Sequence, residues 1–118
     1  GLDADTVDGV HASALGGPAG HVNLQSSSIR GSKNVSSISN HGTGDFTINW
    51  STALANSGYS MTGITNGHVA LQHTVAYIGG PNNAGGTYST TGVRMSVHAA
   101  NHSGYRAYPN YHTYSAQL

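Results

Sequence analysis

Four groups of side chains in this 118-residue chain have types and spacing suited to chemistry. Asp3, Asp5 and Asp8 form a D-x-D-x-x-D-G run ending at Gly9. Converging carboxylates suit a hard cation, so the run is a candidate calcium site near the N-terminus. The chain contains no Glu, so the bidentate carboxylate that closes an EF-hand loop is missing. The other reading is that these aspartates cap turns and short helical pieces. His73 and His112, two of eight histidines, fall on otherwise apolar faces of expected strands. A histidine so placed is ordinarily a hydrogen-bonded core residue. In a threefold assembly, however, one inward His per chain becomes a ring of three, which suits iron, zinc or nickel on the axis.

The remaining two groups are loops. Asn101, His102, Tyr105, Arg106 and Tyr108 lie in one Gly- and Asn-containing stretch, and Asn82, Asn83 and Tyr88 lie in another. Aromatic rings beside amide, guanidinium and imidazole donors can receive a sugar, which offers apolar C–H faces and hydroxyls. Alternatively, the tyrosines pack the loops or a subunit interface.

Catalysis finds little support in the residue inventory. Glycoside hydrolysis normally needs two carboxyl groups about 5–10 Å apart. Only Asp45 lies beyond the first eight residues, so no such pair can form inside the main body. Ser and His are plentiful, but no G-x-S-x-G elbow exists and Asp45 alone could orient a His. The expectation is a protein that is not an enzyme. Four basic residues balance four acidic ones, and charged residues make up 7% of the chain, against about 25% ordinarily. Without a basic tract, nucleic-acid binding is not expected. No apolar run of about 18 residues is present, so no membrane insertion is expected either. With no Cys, disulfides and thiolate sites are excluded, and assembly of copies is the readiest route to rigidity. Three Asn-x-Ser sequons, at Asn34, Asn49 and Asn101, are what a Ser-rich chain holds by chance.

The elements that position these groups read as β-strands. Phe46, Ile48 and Trp50 alternate with Asp45, Thr47 and Asn49, giving one buried and one solvated face. The glycines of His41-Gly42-Thr43-Gly44 suit a hairpin turn back to a strand from Asn34. Val35 and Ile38 cannot share a face in an unbroken strand, so a bulge is expected near Ser36-Ser37. Val22 and Leu24 suggest a short edge strand, and Tyr59, Met61 and Ile64 a further strand. His68 to Ile78 reads as a long strand with Val69, Leu71, His73, Val75 and Tyr77 on one face. Val93, Met95, Val97 and Ala99 alternate with Arg94, Ser96 and His98. His112, Tyr114, Ala116 and Leu118 share a face at the end. About six turn-separated strands without a helical period point to an antiparallel β-sandwich or barrel-like fold. Apolar side chains are few and small, which favours a multimer. The chain starts at Gly1 without Met and shows no signal peptide, as an excised piece of something longer would.

Two segments resemble bacteriophage tail-fibre and receptor-binding proteins. Leu2-Asp-Ala-Asp-Thr-Val-Asp-Gly-Val-His-Ala-Ser13 is similar to a DADTLDG-x-HAS element of phage fibres and bacteriocin tail fibres. Lys33-Asn-Val-Ser-Ser-Ile-Ser-Asn-His-Gly-Thr-Gly-Asp-Phe-Thr-Ile-Asn-Trp-Ser-Thr-Ala-Leu54, with Asn56 to Tyr59, resembles the NVSS-hairpin-GTGDYTVNFTTAM pattern of terminal fibre domains. Trp50 stands where that pattern has Phe, and the His-x-His device by which such trimers enclose an axial metal is absent. The resemblance implies a homotrimeric, β-rich fibre tip on the virion that attaches to a bacterial surface polysaccharide or lipopolysaccharide. On that basis residues 1–33 are expected to be a connector to the rest of the tail fibre. Residues 34–118 are then the β-sandwich head. A trimerising cap without host contact, or a prophage-derived or bacterial surface adhesin, fits the same features.

Overall fold

A computed structural model of the chain describes residues 6–7, 10–11, 18–66, 74–80, 88–99 and 111–118. Every regular element in it is a strand. Thr6–Val7 (β1) and Val10–His11 (β2) pair antiparallel as a two-stranded ladder. Two four-stranded antiparallel sheets form the main body. One runs Ser28–Lys33 (β4), Gly20–Gln25 (β3), Tyr111–Gln117 (β10), Ser60–Thr65 (β7). The other runs Val35–Gly42 (β5), Asp45–Trp50 (β6), Gly92–Ala99 (β9), Thr74–Ile78 (β8). The all-β reading of the sequence is borne out, and the sheets pack as a sandwich.

The core lies between the sheets, where alternate residues of each strand meet. Val22, Leu24, Tyr114 and Ala116 come from one sheet, and Phe46, Ile48, Trp50, Val93, Met95 and Val97 from the other, all buried. Phe46 meets Tyr114 at 5.7 Å and His112 at 5.8 Å between ring centroids, and Trp50 meets Tyr59 at 6.1 Å. The hairpin of β5 and β6 forms as its alternation required. Its turn residue Gly44 takes φ 69°, a conformation that side chains resist. The register slips between Val35 and Ser37, so the expected bulge is present and lets both Val35 and Ile38 face the core.

Four expectations need correction. Gly20–Lys33, read as connector, is a strand pair of the sandwich, with Val22 and Leu24 fully buried, so the head extends back across residue 33. Nor is β3 an edge strand, because β4 covers it on one side and β10 on the other. On β8 the faces are reversed. Ala76 and Ile78 pack on the core, while Val75 and Tyr77 are 39% and 50% exposed. Leu118 lies past the end of β10 and is exposed.

The sandwich has two distinguishable ends. The described chain enters its first sandwich strand beside the last one, through Ala19 N–H to the Ala116 carbonyl at 2.9 Å. Trp50, Tyr59 and the Ser89–Gly92 turn stand at this near end. At the far end are the β3–β4 turn at Ser26-Ser27, the β5–β6 turn, Asn66 and Tyr111.

Candidate functional site

Of the residues singled out in the sequence, Asp3, Asp5, Asp8, His73, Asn82, Asn83, Asn101, His102, Tyr105, Arg106 and Tyr108 lie outside the described residues. Their flanks are informative. Ala99 and Tyr111, on either side of 100–110, stand at the far end, whereas Gly80 and Tyr88, on either side of 81–87, stand toward the near end. The two loops read as sugar receptors are therefore anchored apart.

Tyr88 and His112 are described, and both work as packing residues. Tyr88 bridges to Val93 and sets its ring edgewise on Tyr59, with centroids 5.0 Å apart. His112 is 2% exposed between the sheets. Its Nε2 lies 2.6 Å from the Ser26 carbonyl and its Nδ1 2.8 Å from the Tyr114 hydroxyl. A carbonyl only accepts, so Nε2 carries the hydrogen and Nδ1 receives the Tyr114 O–H. Burial pulls the His112 pKa below its ordinary value, partly offset by the bond to Ser26. As placed, the ring offers neither nitrogen to a metal. It is the hydrogen-bonded core histidine that the sequence left as the alternative.

A different group of residues makes the more useful surface, on the outer side of the β4-β3-β10-β7 sheet. Asn23 and Gly31 pair, as do Leu24 and Ile29, leaving Arg30 as the extra residue of a bulge. A bulge bends the strand and re-aims the side chain it carries. Here the Arg30 guanidinium carbon sits 5.0 Å from the centre of the Tyr111 ring. Tyr111 is 44% exposed and stands opposite Gln25 in the β3–β10 register. Asn66, just past the end of β7, holds Tyr111: its Oδ1 accepts the Tyr111 N–H at 2.9 Å, and its N–H donates to the Tyr111 carbonyl at 3.0 Å. Along the same face the Thr113 hydroxyl bonds the Asn23 side-chain oxygen and the Val22 carbonyl. A shallow hollow of about 220 Å³ follows, lined by Thr62, Gly63, Ile64, Thr113 and Ser115. Ile64 at its rim is 71% exposed.

The opposite outer face is polar and largely self-satisfied. Asn49 donates to Ser37 and Ser39, and His41 bonds Thr47. Asp45 and Arg94 form a two-pronged ion pair. Asp45 is the one carboxylate side chain among the described residues, and both of its oxygens receive guanidinium hydrogens. Tyr77 and His98 stack edge to face at 5.1 Å, with His98 Nε2 3.2 Å from the Ser96 hydroxyl.

Sequence reasoning singled out neither Arg30 nor Tyr111. Arg30 sits in a Ser-rich run with no pattern of its own, and only the register of β4 on β3 reveals that it reaches β10. Its rarity was the available signal, since the chain has only four basic residues. In comparisons with known proteins, the chain matches no protein-family model, no curated protein and no solved structure.

Proposed function

We propose that the chain is the non-enzymatic tip of a bacteriophage tail fibre, attaching the virion to a bacterial surface polysaccharide or lipopolysaccharide. The supporting observation is the exposed Arg30–Tyr111 stack at the end of the sandwich opposite the chain's entry. A fibre presents such an end outward, and a tyrosine ring beside an arginine is a suitable receptor for sugar. The 100–110 segment, rich in Tyr, Asn, His and Arg, leaves from the same end. Catalysis is a poor fit because the Asp45 carboxylate is committed to Arg94. The test is adsorption competition: the isolated chain should block phage or fibre attachment to host cells, and Arg30→Gln with Tyr111→Leu should weaken the block. Full attachment in the presence of saturating folded chain would overturn the reading.

Assembly as a homotrimer belongs to the same proposal. Ile64 on β7 and Val75 and Tyr77 on β8 are exposed along the two sheet edges that lie next to each other. Such apolar side chains favour burial against another copy. The same observation favours a second reading, in which the domain trimerises or caps a fibre and host contact is made elsewhere. A chain that forms trimers yet never competes for cells would establish that second reading.

A further inference from the structure

Resting on the proposed glycan-binding role, we infer that the Arg30–Tyr111 site selects acidic sugars, gripping a carboxylate or phosphate group with the Arg30 guanidinium. A guanidinium held over an aromatic ring as a cation leaves N–H donors that the ring does not use. Those donors match two oxygens of an anion. Arg30 makes no ion pair among the described residues, and Asp45, the one carboxylate side chain there, is held by Arg94 on the other sheet. The guanidinium is also pre-positioned. The β4 bulge aims it, the Tyr111 ring supports it, and Asn66 holds the Tyr111 backbone by two hydrogen bonds, one from its side chain and one from its own backbone. Little side-chain freedom then remains to be lost on binding. Gln25, opposite Tyr111 and exposed, stands ready for neighbouring hydroxyls. The Tyr111 ring supplies the apolar surface against which a pyranose can lie.

The experiment uses the full chain on an array of bacterial surface polysaccharides containing uronate-bearing, phosphate-bearing and neutral members. Binding confined to the acidic members, and lost at least tenfold on carboxyl reduction or dephosphorylation of the bound ones, is expected. Which treatment abolishes binding tells uronate from phosphate. Arg30→Gln should lose about tenfold in affinity for those members, and Arg30→Lys should recover only part of it, because a point charge lacks the fork. Tyr111→Leu, a second and structurally milder probe, should loosen binding with the charge intact. Equal binding of acidic members and their neutralised counterparts would overturn this inference while leaving glycan binding standing. An array with no bound member would overturn both.

Discussion

Asp45 and Arg94 meet along two parallel hydrogen bonds, Nε to Oδ1 at 3.0 Å and Nη2 to Oδ2 at 2.9 Å, diagonally across β6 and β9. The carboxylate is 4% exposed and the guanidinium 21%, and the bond to Asp45 raises the Arg94 pKa further. Removing one partner of a shielded pair strands the other. Asp45→Asn should therefore cost about 1–3 kcal/mol in urea unfolding. The double change Asp45→Asn with Arg94→Met should recover part of that loss. Additive costs in the double-variant cycle would argue against the coupling.

His112 gives the fold a pH dependence whose sign follows from its burial. The folded ring has a pKa below its ordinary value of 6.5. On acidification the unfolded chain therefore takes up the proton first. The stability contributed by the neutral ring is present above about pH 6.5 and falls as the pH drops toward the folded value. Melting curves at pH 7 and pH 5 should show a clear loss for the unaltered chain. His112→Gln should be less stable at pH 7 but change less between the two. Equal slopes would refute the assignment.

Tyr59 ties the near end together. Its hydroxyl lies 2.8 Å from the Ser89 carbonyl and 2.9 Å from the Gly92 carbonyl, and it accepts from Trp50 Nε1 at 3.4 Å. Tyr59→Phe keeps the ring contacts and leaves these groups short of a partner. A loss of about 1–2 kcal/mol is expected in thermal or urea unfolding, with the binding proposed for the far end unchanged.

Gly63 is a close-approach glycine. A Cβ there would stand 2.5 Å from Cδ1 of Tyr114, a ring that is 1% exposed. Gly63→Ala should destabilise the domain by about 1–3 kcal/mol. A melting temperature equal to the parent's would mean the β7–β10 contact is looser here than described.

The exposed side chains at the β7 and β8 edges carry a prediction about mass. Light scattering should give three copies per particle for the parent chain. Ile64→Ser with Val75→Ser should shift it toward one copy without loss of strand content by circular dichroism. A sharply melting single-copy parent would remove the assembly argument.

How much of this was legible beforehand varied with the strand. The β5–β6 hairpin could be read because large apolar residues occupied one parity and polar ones the other, with glycines at the turn. The strand of His112, Tyr114 and Ala116 was equally plain. In β8 the run Val75-Ala-Tyr-Ile78 is apolar at both parities, so period alone could not say which side faced inward. Packing against the core selects Ala76 and Ile78 rather than Val75 and Tyr77. Gly20–Lys33 looked like a connector because only Val22, Leu24 and Ile29 are apolar among polar neighbours. Its pairing with β10, more than eighty residues away in the chain, is a long-range fact with no local mark. The Arg30–Tyr111 stack was hidden for the same reason, since it depends on a bulge and on a neighbour across an intervening strand.

The bond between Ala19 and Ala116 ties the residue just before β3 to β10 near its end, at one pole of the sandwich. The segment entering β3 and the end of β10 are therefore tied at a single corner, and the β3–β4 and β5–β6 turns at the other pole take no part in that tie. On the proposed fibre reading, mutation can rewrite those turns, exchanging one contact surface for another, while the tie at the opposite corner stays as it was.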